Sequence, residues 1–255
     1  MASVYERLIS SKNRQGGGFF LLLDPDRLKE TEYCTLADAC HDCGVDAILV
    51  GSSLLMNSNF GDAVRNIRAT AHPSVPVIIM PGSVMQIVPG ADAVLFTSLL
   101  SGRNPSYLIE QQVHGAPLVK QHGLEPIPTG YLLIESGKCT SVEYMSSSNP
   151  IPRTKHDICC AHALAAQYMG MKLVYLEAGS GAEQPVPLPM VTEVSRYVDI
   201  PVIVGGGLTT PEECAARIDA GASFVVMGNH FENLRNLDFL RELAASAHPK
   251  ITVNA

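Results

Sequence analysis

The acid Glu177 stands just before a run of small residues in YLEAGSGA (175–182). A buried strand that breaks into glycine and serine brings bare backbone close to a ligand or a neighbouring chain. Two later stretches have the same character: GGG at 205–207, followed by the helix start TTPEE, and GN at 228–229. Glycines free backbone N–H groups to reach phosphate oxygens, and a helix N-terminus adds favourable partial charge. A carboxylate below such a phosphate can accept hydrogen bonds from a polyol and orient or deprotonate one hydroxyl. Earlier in the chain, Asp24-Pro25-Asp26 and Ser53 also follow apolar runs. A single carboxylate with a hydroxyl suits Mg²⁺, which keeps several waters and shares coordination with substrate phosphates. Taken alone, DPD reads equally as a turn with a helix cap.

Eight short apolar runs must position these groups: 19–23, 47–50, 75–80, 93–96, 131–134, 173–176, 202–204 and 224–227. Each ends in small or polar residues. Helical patterns lie between most of them, at 30–43, 105–114, 157–169, 190–197, 211–220 and 233–247, with a weaker one at 54–72. Alternating buried strands and helices predict a parallel sheet. Eight such units in 255 residues predict a (βα)8 TIM barrel, with a doubly wound open sheet as the alternative. Segment 83–90 is too short for a full helix, so the third βα unit is degenerate. Because barrel sites lie at the C-terminal ends of the strands, the polar pieces converge on one mouth. The loops after strands seven and eight are the common phosphate position. No linker divides the chain, so residues 1–255 read as one domain, and 138–156 is its one long polar loop.

Composition narrows the class. Hydrophobic content of 46% with 17% charged residues describes a folded chain with a large core. A net charge of −7 argues against a nucleic-acid partner. No apolar run approaches the roughly 20 residues of a membrane span. The N-terminus is polar rather than a signal peptide, and seven cysteines follow no secreted framework, which together predict a cytoplasmic protein. Cys40-His-Asp-Cys43 lies in a helical pattern without a second CxxC and reads as structural, as does Cys159-Cys160. Near the mouth, Met80, Val84, Met85, Ile87, Leu99, Leu100, Tyr107 and Leu108 are core residues or walls for an apolar ligand tail.

The motifs LLLDPD (21–26), VGSS (50–53), SLLSGRNPSYLIEQQ (98–112), YLEAGSGA (175–182), VGGGLTTPEE (204–213) and VMGNHFE (226–232) occur in one order along nearly the whole chain. In these the sequence resembles the geranylgeranylglyceryl phosphate synthase family, including its PcrB-type bacterial members. That resemblance implies a modified (βα)8 barrel lacking its third helix. It implies a Mg²⁺-dependent prenyltransferase joining a long-chain prenyl diphosphate, geranylgeranyl diphosphate by the family's name, to the 3-hydroxyl of sn-glycerol 1-phosphate. By the same resemblance, Asp24 and Ser53 hold Mg²⁺, and Glu177 and Asp24 are catalytic. Glycerol 1-phosphate is held by Tyr175, Leu176, Glu177, Ala178, Gly179, Ser180, Gly181, Gly206, Gly207, Gly228 and Asn229. A homo-oligomer, dimer or larger, is also implied. Three departures stand out: Leu22 where some members carry Lys, Ser52 for a glycine, and no Trp to close the prenyl tunnel, which leaves Tyr107 as the candidate stopper. The rival readings are a sugar-phosphate isomerase, epimerase or aldolase, and a non-catalytic barrel that binds a phosphate ligand.

Overall fold

A computed structural model describes residues 2–56, 59–228 and 236–249. Its elements run α1 (Val4–Gln15), β1 (Phe19–Leu23), α2 (Glu30–Ala39), β2 (Ala47–Val50), α3 (Phe60–Thr70), β3 (Val77–Ile79), β4 (Ala93–Leu99) and α4 (Gln111–His122). They continue β5 (Glu125–Leu133), α5 (Ser141–Ser146), α6 (His156–Tyr168), β6 (Leu173–Glu177), α7 (Leu188–Tyr197), β7 (Val202–Gly205), α8 (Pro211–Asp219), β8 (Phe224–Met227) and α9 (Leu237–Ser246). The strands pair in sequence order, all parallel, and β1 closes on β8 with Phe19 opposite Val225. The barrel is closed, which excludes the open doubly wound sheet.

The strands are apolar on both faces because both faces are covered. Inward side chains, among them Phe20, Leu49, Leu95, Ile127, Tyr175 and Phe224, fill the barrel. Phe20 and Phe224 stack there with centroids 4.6 Å apart. Outward side chains pack under the helices with the buried thiols of Cys40, Cys159 and Cys214. All seven cysteines are free, and burial pushes the Cys159 thiol up to about 12, so the buried sulfurs act as small hydrophobes, whereas Cys139 is exposed.

Between β3 and β4 the only helical piece is a 3-10 turn at Val84–Gln86. The third unit is therefore degenerate, as the short segment predicts. Strand five begins at Glu125, six residues before the expected 131, because Pro126 and Pro128 interrupt the apolar pattern. At alternate positions the two prolines withhold donors along one edge of the strand only, and the Pro128 carbonyl still accepts from the Lys172 N–H at 2.8 Å. The polar loop 138–156 contains the short helix α5, and Ile151 bridges to Ile134.

At the opposite end from the mouth, α1 closes the barrel. Its Val4 and Leu8 enter the interior cluster, and the Glu125 carboxylate accepts from the N–H groups of Val4 and Tyr5 at 2.5 and 3.0 Å. Asp46, with its side chain 4% exposed, joins the termini. It accepts from the Phe19 N–H at 2.9 Å, Ser11 Oγ at 2.6 Å, Gln15 Nε2 at 2.9 Å and His248 Nε2 at 2.7 Å. Replacing Asp46 by Ala strands these donors in a dry site. We expect a loss of about 3 kcal/mol in urea unfolding with no direct change at the mouth.

Candidate active site

Glu177 is the last residue of β6, paired with Leu133 on one side and Gly205 on the other. Its carboxylate is 6% exposed. Oε1 accepts the Gly179 N–H at 2.7 Å. The Tyr175 hydroxyl lies beside the same carboxylate, though without the alignment of a full hydrogen bond. Burial pushes the carboxyl up to about 7, against the opposing pull of the Gly179 N–H and the Tyr175 hydroxyl. A carboxylic acid poised near neutrality can exchange a proton at ordinary pH.

The glycines after β7 make this pocket possible. A Cβ on Gly205 would run into the Tyr175 hydroxyl, and one on Gly206 into Glu177 Oε1. Gly206 also sits at φ +82°, where L side chains are strained. Among the described residues, neither the Gly206 nor the Gly207 N–H has an acceptor, so both amides are available to an anion. The start of α8 differs from expectation. Thr210 caps the helix and Pro211 opens it, as predicted, but Glu213 closes the cap by accepting from the N–H groups of Thr209 and Thr210 at 2.7 and 3.3 Å. The amides of Thr209 and Thr210 are thus already occupied, whereas those of the glycine loop are not.

Two cavities meet at the mouth. The polar one, about 250 Å³, takes polar groups from Tyr175, Glu177, Ser180, Thr209 and the glycines Gly181, Gly206, Gly207 and Gly228, while Leu22, Met80, Val142, Leu208, Val226 and Met227 form apolar parts of its wall. The other, about 170 Å³, is a largely apolar groove beside the missing third helix. Its walls include Met80, Val84, Ile87, Phe96, Leu99 and Tyr107, with Val142 and Met145 of the α5 helix. Leu22, Ser53, Met80, Tyr131, Val142, Ser180 and Gly228 line both cavities. No Lys or Arg among the described residues lines either one.

The predicted site residues divide accordingly. Tyr175, Glu177, Ser180, Gly181, Gly206, Gly207 and Gly228 converge on the polar cavity. Leu176 and Ala178 pack into the outer core instead, because alternate residues of a strand face opposite sides. Gly179 serves through its N–H to Glu177 and its close packing on Thr140. Asn229 lies outside the described residues. Of the expected apolar walls, Met80, Val84, Ile87, Leu99 and Tyr107 line the groove, whereas Leu100 and Leu108 do not and Met85 is 73% exposed. Tyr131 was not foreseen. It faces the same interior as Tyr175, directly across the β5–β6 register, with ring centroids 5.3 Å apart. An inward Tyr at that register position was the available signal.

Asp24 and Ser53 stand at the polar end of the groove. The Asp24 turn does cap its own loop: Oδ1 accepts the Asp26 N–H at 3.0 Å, and Arg27 Nε lies 3.5 Å from Oδ2. Burial nevertheless raises the Asp24 carboxyl above its ordinary range, as expected of a carboxylate facing a groove. Among the described residues no group of three acidic, His or Cys side chains could enclose a metal. One carboxylate and one hydroxyl fit a Mg²⁺ that draws its remaining ligands from water and a diphosphate, and do not fit an all-protein cage.

Fold and site define a (βα)8 barrel with a glycine-lined cavity beside an apolar groove at its mouth. The PcrB family profile matches residues 10–246, and the chain belongs to that family. It is 42% identical over 226 residues to the geranylgeranylglyceryl phosphate synthase of Spirosoma linguale, covering 89% of each chain. It is 46% identical over 224 residues to the protein of that name from Thermococcus kodakarensis, covering 88% and 87%. Among solved structures it superposes with TM-score 0.91 and 36% identity on (S)-3-O-geranylgeranylglyceryl phosphate synthase from Thermoplasma acidophilum in complex with sn-glycerol-1-phosphate, covering 97% of this chain and 99% of that one.

The Glu177 pKa has a consequence for stability. In the unfolded chain this acid ionises near its ordinary 4.5, and in the folded chain near 7. Its contribution is therefore complete below pH 4.5 and is lost as pH rises through 7, by roughly 3 kcal/mol. Glu177→Gln should be more stable than wild type at pH 8 and nearly equal to it at pH 4, measured by urea unfolding at both values.

Proposed function

We propose that the chain is a prenyltransferase that joins a long-chain isoprenoid diphosphate, geranylgeranyl diphosphate by the name of its relatives, to the 3-hydroxyl of sn-glycerol 1-phosphate. The observation that carries this reading is the shared wall between the two cavities. Glu177 faces a cavity with glycine amides, and that cavity shares a wall of Leu22, Ser53, Met80, Tyr131, Val142, Ser180 and Gly228 with an apolar groove. A sugar-phosphate isomerase or a simple phosphate-binding barrel would have no use for the groove, and no Lys among the described residues reaches the polar cavity to serve as a Schiff base.

The reaction follows from where each group stands. The phosphate of glycerol 1-phosphate sits against the Gly206 and Gly207 amides and the Ser180-Gly181 turn. The glycerol hydroxyls then reach Glu177. The prenyl chain lies in the groove against Val84, Ile87, Leu99 and Tyr107, with its diphosphate toward Asp24 and Ser53. The bond between the allylic carbon and the diphosphate oxygen breaks, and the 3-hydroxyl oxygen forms the new ether bond to that carbon. The hydroxyl proton passes to the Glu177 carboxylate, and pyrophosphate leaves. Fixing both reactants in one mouth supplies the proximity term. A Mg²⁺ held by Asp24 and Ser53 would supply charge neutralisation for the leaving diphosphate.

No helix among the described residues is long and apolar enough to cross a membrane. Seven free cysteines support a reducing, cytoplasmic setting. Exposed Ile109 just before the α4 helix and Val113 in its first turn, with Tyr168 and Tyr197 at the ends of α6 and α7, support a homo-oligomer.

Labelled sn-glycerol 1-phosphate, incubated with Mg²⁺ and prenyl diphosphates of rising length, should give an ether product with one preferred length, lost on chelation of the metal. Glu177→Gln should lower kcat by roughly a hundredfold or more. Wild-type kcat should fall as pH drops below about 7, where Glu177 takes up its proton. Tight binding of glycerol 1-phosphate without turnover of any donor would instead favour the non-catalytic barrel.

A further inference from the structure

Outside the polar cavity, two arginines reach one stretch of loop. Arg153, between the α5 and α6 helices, donates from Nη1 to the carbonyls of Glu135 at 3.0 Å and Gln184 at 3.3 Å. Arg217 of the α8 helix is 8% exposed. It donates from Nη2 to the Val186 carbonyl and from Nη1 to the Glu213 carbonyl, both at 3.3 Å, and its Nε has no partner. Residues 184–186 continue directly from Ser180, Gly181 and Ala182, which wall the polar cavity. A side chain on Gly207 would start 3.0 Å from the Pro185 nitrogen. The loop is thus held by two guanidinium groups on its outer side and borders the cavity on its inner side.

Neither guanidinium forms a salt bridge among the described residues. The neighbouring acids act on them at longer range: the Glu135 carboxylate, which takes the backbone N–H of Arg153 at 3.3 Å, and the Glu213 carboxylate, which caps α8, each favour the charged guanidinium. Burial lowers the pKa of both arginines, against the pull of Glu135 on Arg153 and of Glu213 on Arg217, and the like charge of Arg153 adds to the lowering on Arg217. Arg217 is the more desolvated of the two, and a buried cation without a hydrogen-bonded anion is costly. A phosphate dianion in the adjoining cavity would add a further counter-charge, and the cavity walls themselves carry no cation among the described residues.

We infer that Arg153 and Arg217 are positioning residues that set the affinity of this cavity for a phosphate monoester dianion, by fixing the 179–186 loop and by placing two positive charges behind it. This rests on the function proposed above and assigns the cavity's preference for a phosphorylated over a neutral polyol to residues that do not touch the ligand. The test begins with calorimetry of sn-glycerol 1-phosphate on the wild-type protein, then on Arg153→Gln and Arg153→Lys, with steady-state kinetics for both substrates. We expect Arg153→Gln to raise Kd and KM for glycerol 1-phosphate about tenfold, with KM for the prenyl diphosphate and kcat little changed. Arg153→Lys, which keeps the charge but not the two-carbonyl bridge, should recover part of the loss. A merely structural role would lower Tm or raise both KM values together, and that outcome overturns the inference. So does an unchanged KM in Arg153→Gln. Should Arg153→Gln fail to fold, the Arg153→Lys ratio of the two KM values decides by the same criterion. If the wild-type protein itself binds no glycerol 1-phosphate, the proposed function falls first and this inference with it. If the wild type binds and turns over, failure of the variants counts against the arginines alone.

Discussion

The buried carboxylate of Glu177 is the constraint on which the mouth of the barrel depends. An acid at 6% exposure needs its lone pairs occupied or its proton retained. One oxygen takes the Gly179 N–H, and Tyr175 stands beside the group. The remaining acceptor capacity faces the polar cavity. Everything around the group yields space to it: Gly205 and Gly206 have no side chains because Tyr175 and Glu177 fill that volume. The turn that follows leaves the backbone amides of Gly206 and Gly207 without an acceptor among the described residues, at the cavity wall. A single steric demand thus produces both the carboxylate site and the anion site beside it.

The second constraint is an omission. A full helix after β3 would cover the flank between β3 and the α4 helix. The 3-10 turn at Val84–Gln86 leaves that flank to Val84, Ile87, Leu99 and Tyr107, which face a groove instead of a helix. An exposed apolar groove is unfavourable unless an apolar ligand occupies it. The α5 helix forms its other wall through Val142 and Met145, and Thr140 at the head of that helix packs on Gly179. The groove wall and the carboxylate loop are therefore in direct contact.

Much of this was legible in the residues. Parallel strands buried on both faces read as short apolar runs, so all eight appeared, and their small-residue ends marked the mouth. What escaped had physical reasons. Pro126 and Pro128 hid the first half of β5, since a proline argues against a strand until its donors fall on one edge. The α1 helix is polar over most of its length, and only Val4 and Leu8 reveal that it closes the barrel. Leu176 and Ala178 were included in a contiguous motif, but strand alternation turns them into the outer core. The capped amides of α8 could be foreseen only by noticing that Glu213 completes a box with Thr210. Tyr131 required the register of β5 on β6, which no local pattern supplies.

The most direct measurement is an NMR titration of Glu177, with 13C-labelled glutamate and Glu177→Gln to assign the signal. A carboxyl buried as described titrates with a midpoint near 7, and the midpoint moves when sn-glycerol 1-phosphate occupies the cavity. A midpoint near the ordinary 4.5, unmoved by glycerol 1-phosphate, would mean a solvated carboxylate that does not meet the ligand, and would contradict the account of the site.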